Sequence, residues 1–107
     1  MKPNQKLLDE LVKRIVAAVH PLRIILFGSA ARGDMAPHSD LDVLIVMPDG
    51  VHRRKTAQYL YQQMLGFGFA KDLVVATQSD LVNYDNNPGL IYKQALSEGI
   101  ELYHAPQ

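Results

Sequence analysis

The most informative segment of the chain is Gly28-Ser29, followed after ten residues by Asp40-Leu41-Asp42. Side chains at positions i and i+2 of a β-strand point to the same face, because a strand alternates with a period of two. We therefore expect Asp40 and Asp42 to share a face, opposite the Gly-Ser turn that ends the preceding strand. Two carboxylates beside such a turn are suited to holding a divalent metal ion and a nucleoside triphosphate together.

Hydrophobic periodicity along the rest of the chain predicts alternating helices and strands, which is typical of an α/β or α+β domain. In chain order, the predicted elements are a helix at 7–19, a strand at 23–27, a brief helix at 29–32, a strand at 40–47, a helix at 51–65, a strand at 69–77, a capped turn near 79–80, a helix at 89–98 and an edge strand at 100–103. The helix at 51–65 is expected to bury one stripe of side chains. That stripe consists of Ala57, Leu60, Tyr61, Met64 and Leu65.

The composition is that of an ordinary globular protein, and we expect residues 1–107 to form a single domain. Lys and Arg number 11, as do Asp and Glu, so the charge provides no long-range attraction to nucleic acids or acidic membranes. The absence of cysteine excludes a disulfide framework and a thiolate metal site. We identify neither a secretion signal nor an apolar run that could span a bilayer, and we expect a cytoplasmic location.

A third carboxylate strengthens the interpretation of the opening stretch. The strand at 69–77 is apolar except for Lys71 and Asp72. A charge in such a strand costs several kcal/mol unless it is paired or binds a metal. If this strand lies beside the strand at 40–47, Asp72 can join Asp40 and Asp42 on one face. Three clustered carboxylates repel one another without a cation, whereas with Mg²⁺ they become suitable oxygen ligands.

These segments resemble the nucleotidyltransferase superfamily that includes DNA polymerase β, and in particular its smallest members, the minimal nucleotidyltransferases. The similarity lies in residues 27–34 (FGSAARGD), 39–44 (SDLDVL) and 71–74 (KDLV), and the order of the elements around them also fits. The resemblance implies a nucleotidyltransferase fold, with a small mixed sheet of about four strands flanked by about four helices on one side.

The resemblance also implies a reaction. Asp40 and Asp42 would bind two Mg²⁺ ions, and Asp72 would complete one metal site and help to activate the attacking hydroxyl. That hydroxyl would attack the α-phosphorus of a nucleoside triphosphate, expected to be ATP, and pyrophosphate would leave. The physical logic is a two-metal clamp on the attacking and leaving oxygens.

Phosphate binding is assigned to the turn before the brief helix. The resemblance implies that Gly28 and Ser29 bind the β- and γ-phosphates, and Arg32 could add a phosphate contact. Ala30 stands where relatives often carry a second arginine, so triphosphate binding would depend more on Arg32 and on the metal ions. Arg32 could instead pair with Asp34 in solvent.

Other interpretations of the same residues remain open. The aspartate pair could cap a turn at the start of a strand, and Asp72 could be a surface residue of an edge strand. Gly28-Ser29 could be an ordinary strand-to-helix turn. The whole spacing pattern would then be a coincidence.

The acceptor is expected on another molecule, because the predicted sheet and helices leave no residues for an acceptor-binding domain. In the family that the chain resembles, the usual partner is a helical HEPN-domain toxin. The resemblance implies that this chain is the antitoxin and transfers AMP to a tyrosine hydroxyl of the toxin. Two alternatives remain: an antitoxin that inhibits by complex formation alone, and a small-molecule adenylyltransferase that acts as a dimer.

Overall fold

The computed structural model describes residues 4–33, 40–83 and 90–106, and every structural statement below concerns these ranges. The elements, in chain order, are α1 (Gln5–Val19), β1 (Arg23–Phe27), α2 (Ser29–Arg32), β2 (Leu41–Met47), α3 (Arg53–Gln63), β3 (Lys71–Thr77), α4 (Gln78–Val82), α5 (Leu90–Glu98) and β4 (Ile100–His104). Among these residues, no helix combines the length and the apolar character needed to cross a membrane.

Helix α1 forms because its apolar side chains recur at helical spacing and both of its ends are capped. Leu8, Leu11 and Ile15 are buried on one stripe. Asn4 begins the helix, since its side chain accepts a hydrogen bond from a backbone N–H of the first turn. His20 ends the helix in a left-handed conformation, with φ of 49°.

The four strands form one mixed sheet in the order β3-β2-β1-β4. Strands β1 and β2 are antiparallel, with Phe27 opposite Asp42, whereas β2 and β3 are parallel, with Asp42 opposite Asp72. The carboxyl end of β1 therefore lies beside the amino ends of β2 and β3. The strands predicted as neighbours are neighbours, and the final strand is at an edge, as expected.

Helices cover both faces of the sheet. Buried side chains of α1 and α3 pack on one face of the sheet. There they join buried side chains of β1 and β2, which include Ile24, Leu26 and Val43. The other face is covered by α4 and α5, where Ala95 packs among Phe27 and its neighbours. The α/β class and the four-stranded mixed sheet are confirmed. The expected arrangement of about four helices on one side is wrong: the described residues form five helices, and the last two lie on the opposite face.

The buried stripe of α3 is narrower than predicted. Leu60 and Met64 are buried and Ala57 is half-buried, but Tyr61 is 41% exposed and Leu65 is 79% exposed. The helix ends at Gln63, so Leu65 lies in the turn that follows and points to solvent. Tyr61 follows Leu60 by about 100° around the helix, which places it beside the buried stripe rather than within it.

A capping box begins α4 directly at the end of β3. The Thr77 side chain accepts a hydrogen bond from the Asp80 N–H, and the Asp80 carboxylate accepts one from the Thr77 N–H at 2.9 Å. The short turn predicted near 79–80 is therefore a helix of five residues, with Asp80 in its first turn rather than at its cap.

We expect Thr77→Ala to lower the free energy of unfolding by about 1 kcal/mol, because it leaves the backbone N–H of Asp80 without this acceptor. Urea unfolding followed by circular dichroism measures the change. Thr56→Ala is the matched control, because the Thr56 hydroxyl donates to the carbonyl of His52, the residue before α3, and caps no backbone N–H in the described residues. We expect it to change stability by less than about 0.5 kcal/mol. Equal losses in the two variants would show that the cap is not the cause.

Candidate active site

The turn between β1 and α2 has a backbone conformation that requires glycine. Gly28 has φ of 73° and ψ of −153°, a region that side chains other than hydrogen disfavour. Its carbonyl accepts hydrogen bonds from the N–H groups of Ala31 and Arg32, both at 3.1 Å, which fixes the first turn of α2. A Cβ atom at this position would collide with Oδ2 of Asp42. The turn and the Asp42 carboxylate are therefore in direct proximity.

The two carboxylates of the Asp-x-Asp motif occupy different settings at the start of β2. The strand begins at Leu41, which is fully buried, so Asp40 immediately precedes the strand rather than lying within it. Asp40 is exposed, whereas Asp42 is half-buried on the face that also carries Phe27. The backbone N–H of Leu41 donates to the Ala70 carbonyl at 3.0 Å, which ties the start of β2 to the chain entering β3.

Asp72 lies on the edge strand β3, directly opposite Asp42 in the parallel register. The two side chains share a face of the sheet, as the sequence predicts, and Asp72 is exposed. The three aspartates thus all lie near the amino ends of β2 and β3. Within residues 4–33, 40–83 and 90–106, however, no three side chains of His, Cys, Asp or Glu lie close enough together to hold a metal ion as they stand.

Electrostatics distinguish Asp42 from the other carboxylates. Burial raises the pKa of Asp42 above its usual value, and the like charges of Asp72 and Asp40 raise it further. The positive charge of Arg32 acts in the opposite direction and lowers it. The site is therefore a negatively charged cluster that favours a proton or a cation on its central carboxylate.

Arg32, at the end of α2, connects the turn to helix α5. Its Nη1 lies 3.8 Å from Oε2 of Glu98, and both side chains are about half exposed. The sequence also allows Arg32 to pair with Asp34. Asp34 lies outside the described residues, whereas the ion pair with Glu98 lies within them. Arg32 is close enough to the carboxylate cluster to affect the pKa of Asp42.

Sequence reasoning assigned Tyr61 to the buried stripe of α3, but the structure places its hydroxyl beside the site. The Tyr61 hydroxyl donates toward Oδ1 of Asp72, at an oxygen–oxygen distance of 3.5 Å. The same hydroxyl accepts a hydrogen bond of 2.9 Å from the backbone N–H of Leu73. The spacing of apolar residues in α3 does not indicate this contact, because the contact depends on how α3 packs against β3.

A family model for the nucleotidyltransferase domain matches residues 5–102 of this sequence. The chain belongs to the nucleotidyltransferase domain family. This match spans the elements from α1 to α5 and the first part of β4, and it includes the turn at Gly28 and the three aspartates. The family recognised from the sequence motifs is therefore confirmed.

Among curated proteins, the chain is similar to a bifunctional uridylyltransferase/uridylyl-removing enzyme of Burkholderia vietnamiensis. The two are 38% identical over 52 residues, which are 46% of this chain and 6% of the relative. The chain thus spans only a small part of the length of the curated relatives that it matches.

Solved structures show the same fold at lower identity. A toxin–antitoxin complex with AMP-PNP contains a chain that is 20% identical, with a TM-score of 0.61 over 98% of this chain and 77% of that one. A second is the tri-AMPylated HEPN toxin of Shewanella oneidensis in complex with its MNT antitoxin. The matched chain of that complex is 18% identical, with a TM-score of 0.61 over 94% of this chain and 72% of that one. This nucleotidyltransferase domain therefore has the fold found in minimal nucleotidyltransferase antitoxin complexes.

Proposed function

We propose that the chain is a Mg²⁺-dependent nucleotidyltransferase that transfers AMP from ATP to a tyrosine hydroxyl of a HEPN-domain toxin, and that it acts as the antitoxin of that pair. The observation that carries the proposal is the register that places Asp42 opposite Asp72, in direct proximity to the Gly28 turn. The family match and the fold shared with the complex of an AMPylated toxin support it.

The three aspartates fit a magnesium site by their chemistry. Carboxylate oxygens are the ligands that Mg²⁺ prefers, and the repulsion that raises the pKa of Asp42 is what a divalent cation would remove. Asp40 and Asp42 would hold two ions, and Asp72 would complete one of the two sites. When bound, Mg²⁺ would neutralise phosphate charge and stabilise the attacking and leaving oxygens.

The turn and α2 would hold the triphosphate. Because Gly28 has no side chain, a phosphate can approach the backbone there, and the N–H groups of the turn with the Ser29 hydroxyl would bind the β- and γ-phosphates. Arg32 would add a charged contact from the end of α2. Ala30, which stands where relatives often have arginine, is buried in the core and leaves this contact to Arg32.

The transfer step involves one bond made and one bond broken. The acceptor oxygen bonds to the α-phosphorus, and the bond from that phosphorus to the oxygen bridging the β-phosphate breaks. Pyrophosphate leaves with the bond electrons, and the acceptor's proton passes to the Asp72 carboxylate. Asp72 is suited to this role because it is exposed at the edge strand, where a second molecule can reach it.

A transfer assay tests the proposal. The purified chain is incubated with Mg²⁺, ATP labelled at the α-phosphate, and the HEPN-domain protein encoded nearest to it. We expect label on the HEPN protein, and its loss by at least about a thousandfold when Asp40→Asn and Asp42→Asn are combined. Absence of label with the wild-type chain, or equal labelling by the double variant, would show the proposal to be wrong.

Protection of cells distinguishes catalysis from inhibition by complex formation alone. If the chain neutralises the toxin by AMP transfer, the double variant should bind the HEPN protein but no longer protect cells that express it. A variant that still protects fully would instead favour the non-catalytic antitoxin. Co-purification of the variant with the HEPN protein is the control for folding and binding.

A further inference from the structure

The Tyr61 hydroxyl is held at the outer edge of the sheet by two contacts, one with a backbone N–H and one with a side-chain carboxylate. Its oxygen accepts the hydrogen bond from the backbone N–H of Leu73, which belongs to β3, an edge strand of the sheet that the described residues form. Its proton is directed toward Oδ1 of Asp72. A phenol that accepts one hydrogen bond and donates toward a carboxylate has the arrangement of an activated nucleophile with its general base.

Tyr61 also completes a continuous row of functional groups. The Gly28 turn lies against the Asp42 carboxylate, Asp42 lies opposite Asp72, and Asp72 contacts the Tyr61 hydroxyl. In the proposed reaction the triphosphate occupies the Gly28 end of this row, and Asp72 accepts the proton of the attacking hydroxyl. The Tyr61 hydroxyl therefore stands on the acceptor side of the row, next to the group that would take its proton.

From this arrangement we infer that Tyr61 is a self-modification site, to which the chain transfers AMP from ATP when no partner hydroxyl occupies the site. The inference rests on the proposed function and uses its chemistry. The Tyr61 oxygen bonds to the α-phosphorus, the bond to the bridging oxygen of the β-phosphate breaks, pyrophosphate leaves and the phenol proton passes to Asp72. The acceptor belongs to the same chemical class, a tyrosine hydroxyl, as the one proposed on the partner.

The exposure of Tyr61 allows the reaction. Tyr61 is 41% exposed, so part of its side chain faces solvent rather than the core. A transferred nucleotide can therefore project outward from the edge of the sheet without displacing buried side chains. The modification would remove the phenol proton donor and place a phosphodiester beside Asp72. Modified Tyr61 is thus expected to obstruct the acceptor side of the site and to slow transfer to a partner.

Tyr59 provides a matched control on the same helix. It is 45% exposed, close to the value for Tyr61, but it precedes Tyr61 by two residues and so projects about 200° away around α3. A non-specific modification of exposed tyrosines would affect both residues. A modification directed by Asp72 would affect Tyr61 and leave Tyr59 unmodified.

The experiment incubates the full chain with Mg²⁺ and ATP alone, and in parallel with the HEPN-domain protein encoded nearest to it, and then maps adducts by peptide mass spectrometry. We expect an AMP adduct on Tyr61 in the chain incubated alone. Tyr61→Phe and Asp72→Asn should each lower adduct formation by at least about 100-fold, and Tyr59→Phe should leave it unchanged. Thermal melting of each variant verifies that it is folded.

The outcomes separate this inference from the proposed function. Label on the HEPN protein with an unmodified Tyr61 overturns self-modification and leaves the proposed function intact. An adduct on Tyr61 with an unlabelled HEPN protein supports self-modification and overturns the proposed partner. An adduct mainly on Tyr59 or another residue overturns the assignment of Tyr61, and no adduct on either protein overturns both proposals.

Discussion

Asp42→Asn is expected to lower AMP transfer by about a thousandfold and, in the absence of metal, to raise the stability of the fold. Asp42 is the central carboxylate of the cluster, opposite Asp72 and beside the Gly28 turn. Replacing a carboxylate ligand by an amide removes a negative charge that would hold Mg²⁺, and a thousandfold loss corresponds to about 4 kcal/mol of transition-state stabilisation. The loss should appear mainly in kcat, because the turn that we propose to bind the phosphates is unchanged.

The gain in stability has an electrostatic origin. Burial and the charges of Asp72 and Asp40 raise the pKa of Asp42, so the folded chain binds this proton more tightly than the unfolded chain does. This group therefore favours folding at low pH, and that contribution is lost as the pH rises through the folded-state pKa. At neutral pH the charged form opposes folding. Removing a directly opposed like charge is expected to stabilise the sheet by about 0.2–1 kcal/mol.

Asp49→Asn is the matched control for this prediction, because its expected effect on stability has the opposite sign. Asp49 accepts hydrogen bonds from the N–H and the hydroxyl of Ser79, and these bonds lower the pKa of Asp49. Its carboxylate therefore favours folding above its unfolded pKa, and this contribution is lost as the pH falls through the folded value. We expect Asp49→Asn to lower the melting temperature at neutral pH and to leave transfer unchanged.

Melting curves at pH 7 in a chelator, together with the transfer assay, measure both variants. If Asp42→Asn melts below the wild-type chain while Asp49→Asn melts above it, the inference that repulsion among the three carboxylates destabilises the metal-free fold is wrong. Added Mg²⁺ should raise the melting temperature of the wild-type chain more than that of Asp42→Asn, because a ligand that binds the folded state stabilises it.

The sequence predicted the part of the site that depends on local pattern. The spacing from Gly28 to Asp42 places a turn and a strand start close together, and the charge of Asp72 in an apolar strand identified the third carboxylate. Each of these signals follows from the period of a strand and from the cost of burying a charge. The structure confirms the neighbouring strands on which this reasoning relied.

The remaining features depend on contacts between distant segments. The ion pair of Arg32 with Glu98 requires α5 to pack on the same face as the carboxylates, and no local pattern indicates which face a helix covers. The contact of Tyr61 with Asp72 depends on how α3 packs against β3, which are distant segments of the fold. Tyr61 lies beside the buried stripe of α3, and the periodicity of the helix does not indicate which neighbouring strand a residue at that border contacts.

Gly28→Ala is expected to lower the rate of AMP transfer by at least about 100-fold. The added Cβ meets two separate obstacles. The backbone conformation at Gly28 costs about 1–3 kcal/mol for any residue other than glycine. The Cβ atom would also collide with the Asp42 carboxylate, so either the turn or the carboxylate must move. A displacement of about 1 Å at a reacting centre is enough to cost roughly 100-fold in rate.

Gly50→Ala separates these two obstacles and is the control for the prediction. Gly50 has φ of 94°, so alanine is strained there as well, but among the described residues other than its two chain neighbours no atom lies within 4 Å of the position of its Cβ. We expect Gly50→Ala to destabilise the chain by about 1 kcal/mol or more and to leave the rate of transfer unchanged under conditions where the chain is folded. Transfer kinetics and urea unfolding of both variants measure the difference. Since only Gly28→Ala disturbs Asp42, equal rates in the two folded variants would mean that the approach of the turn to the carboxylate has no role in the reaction.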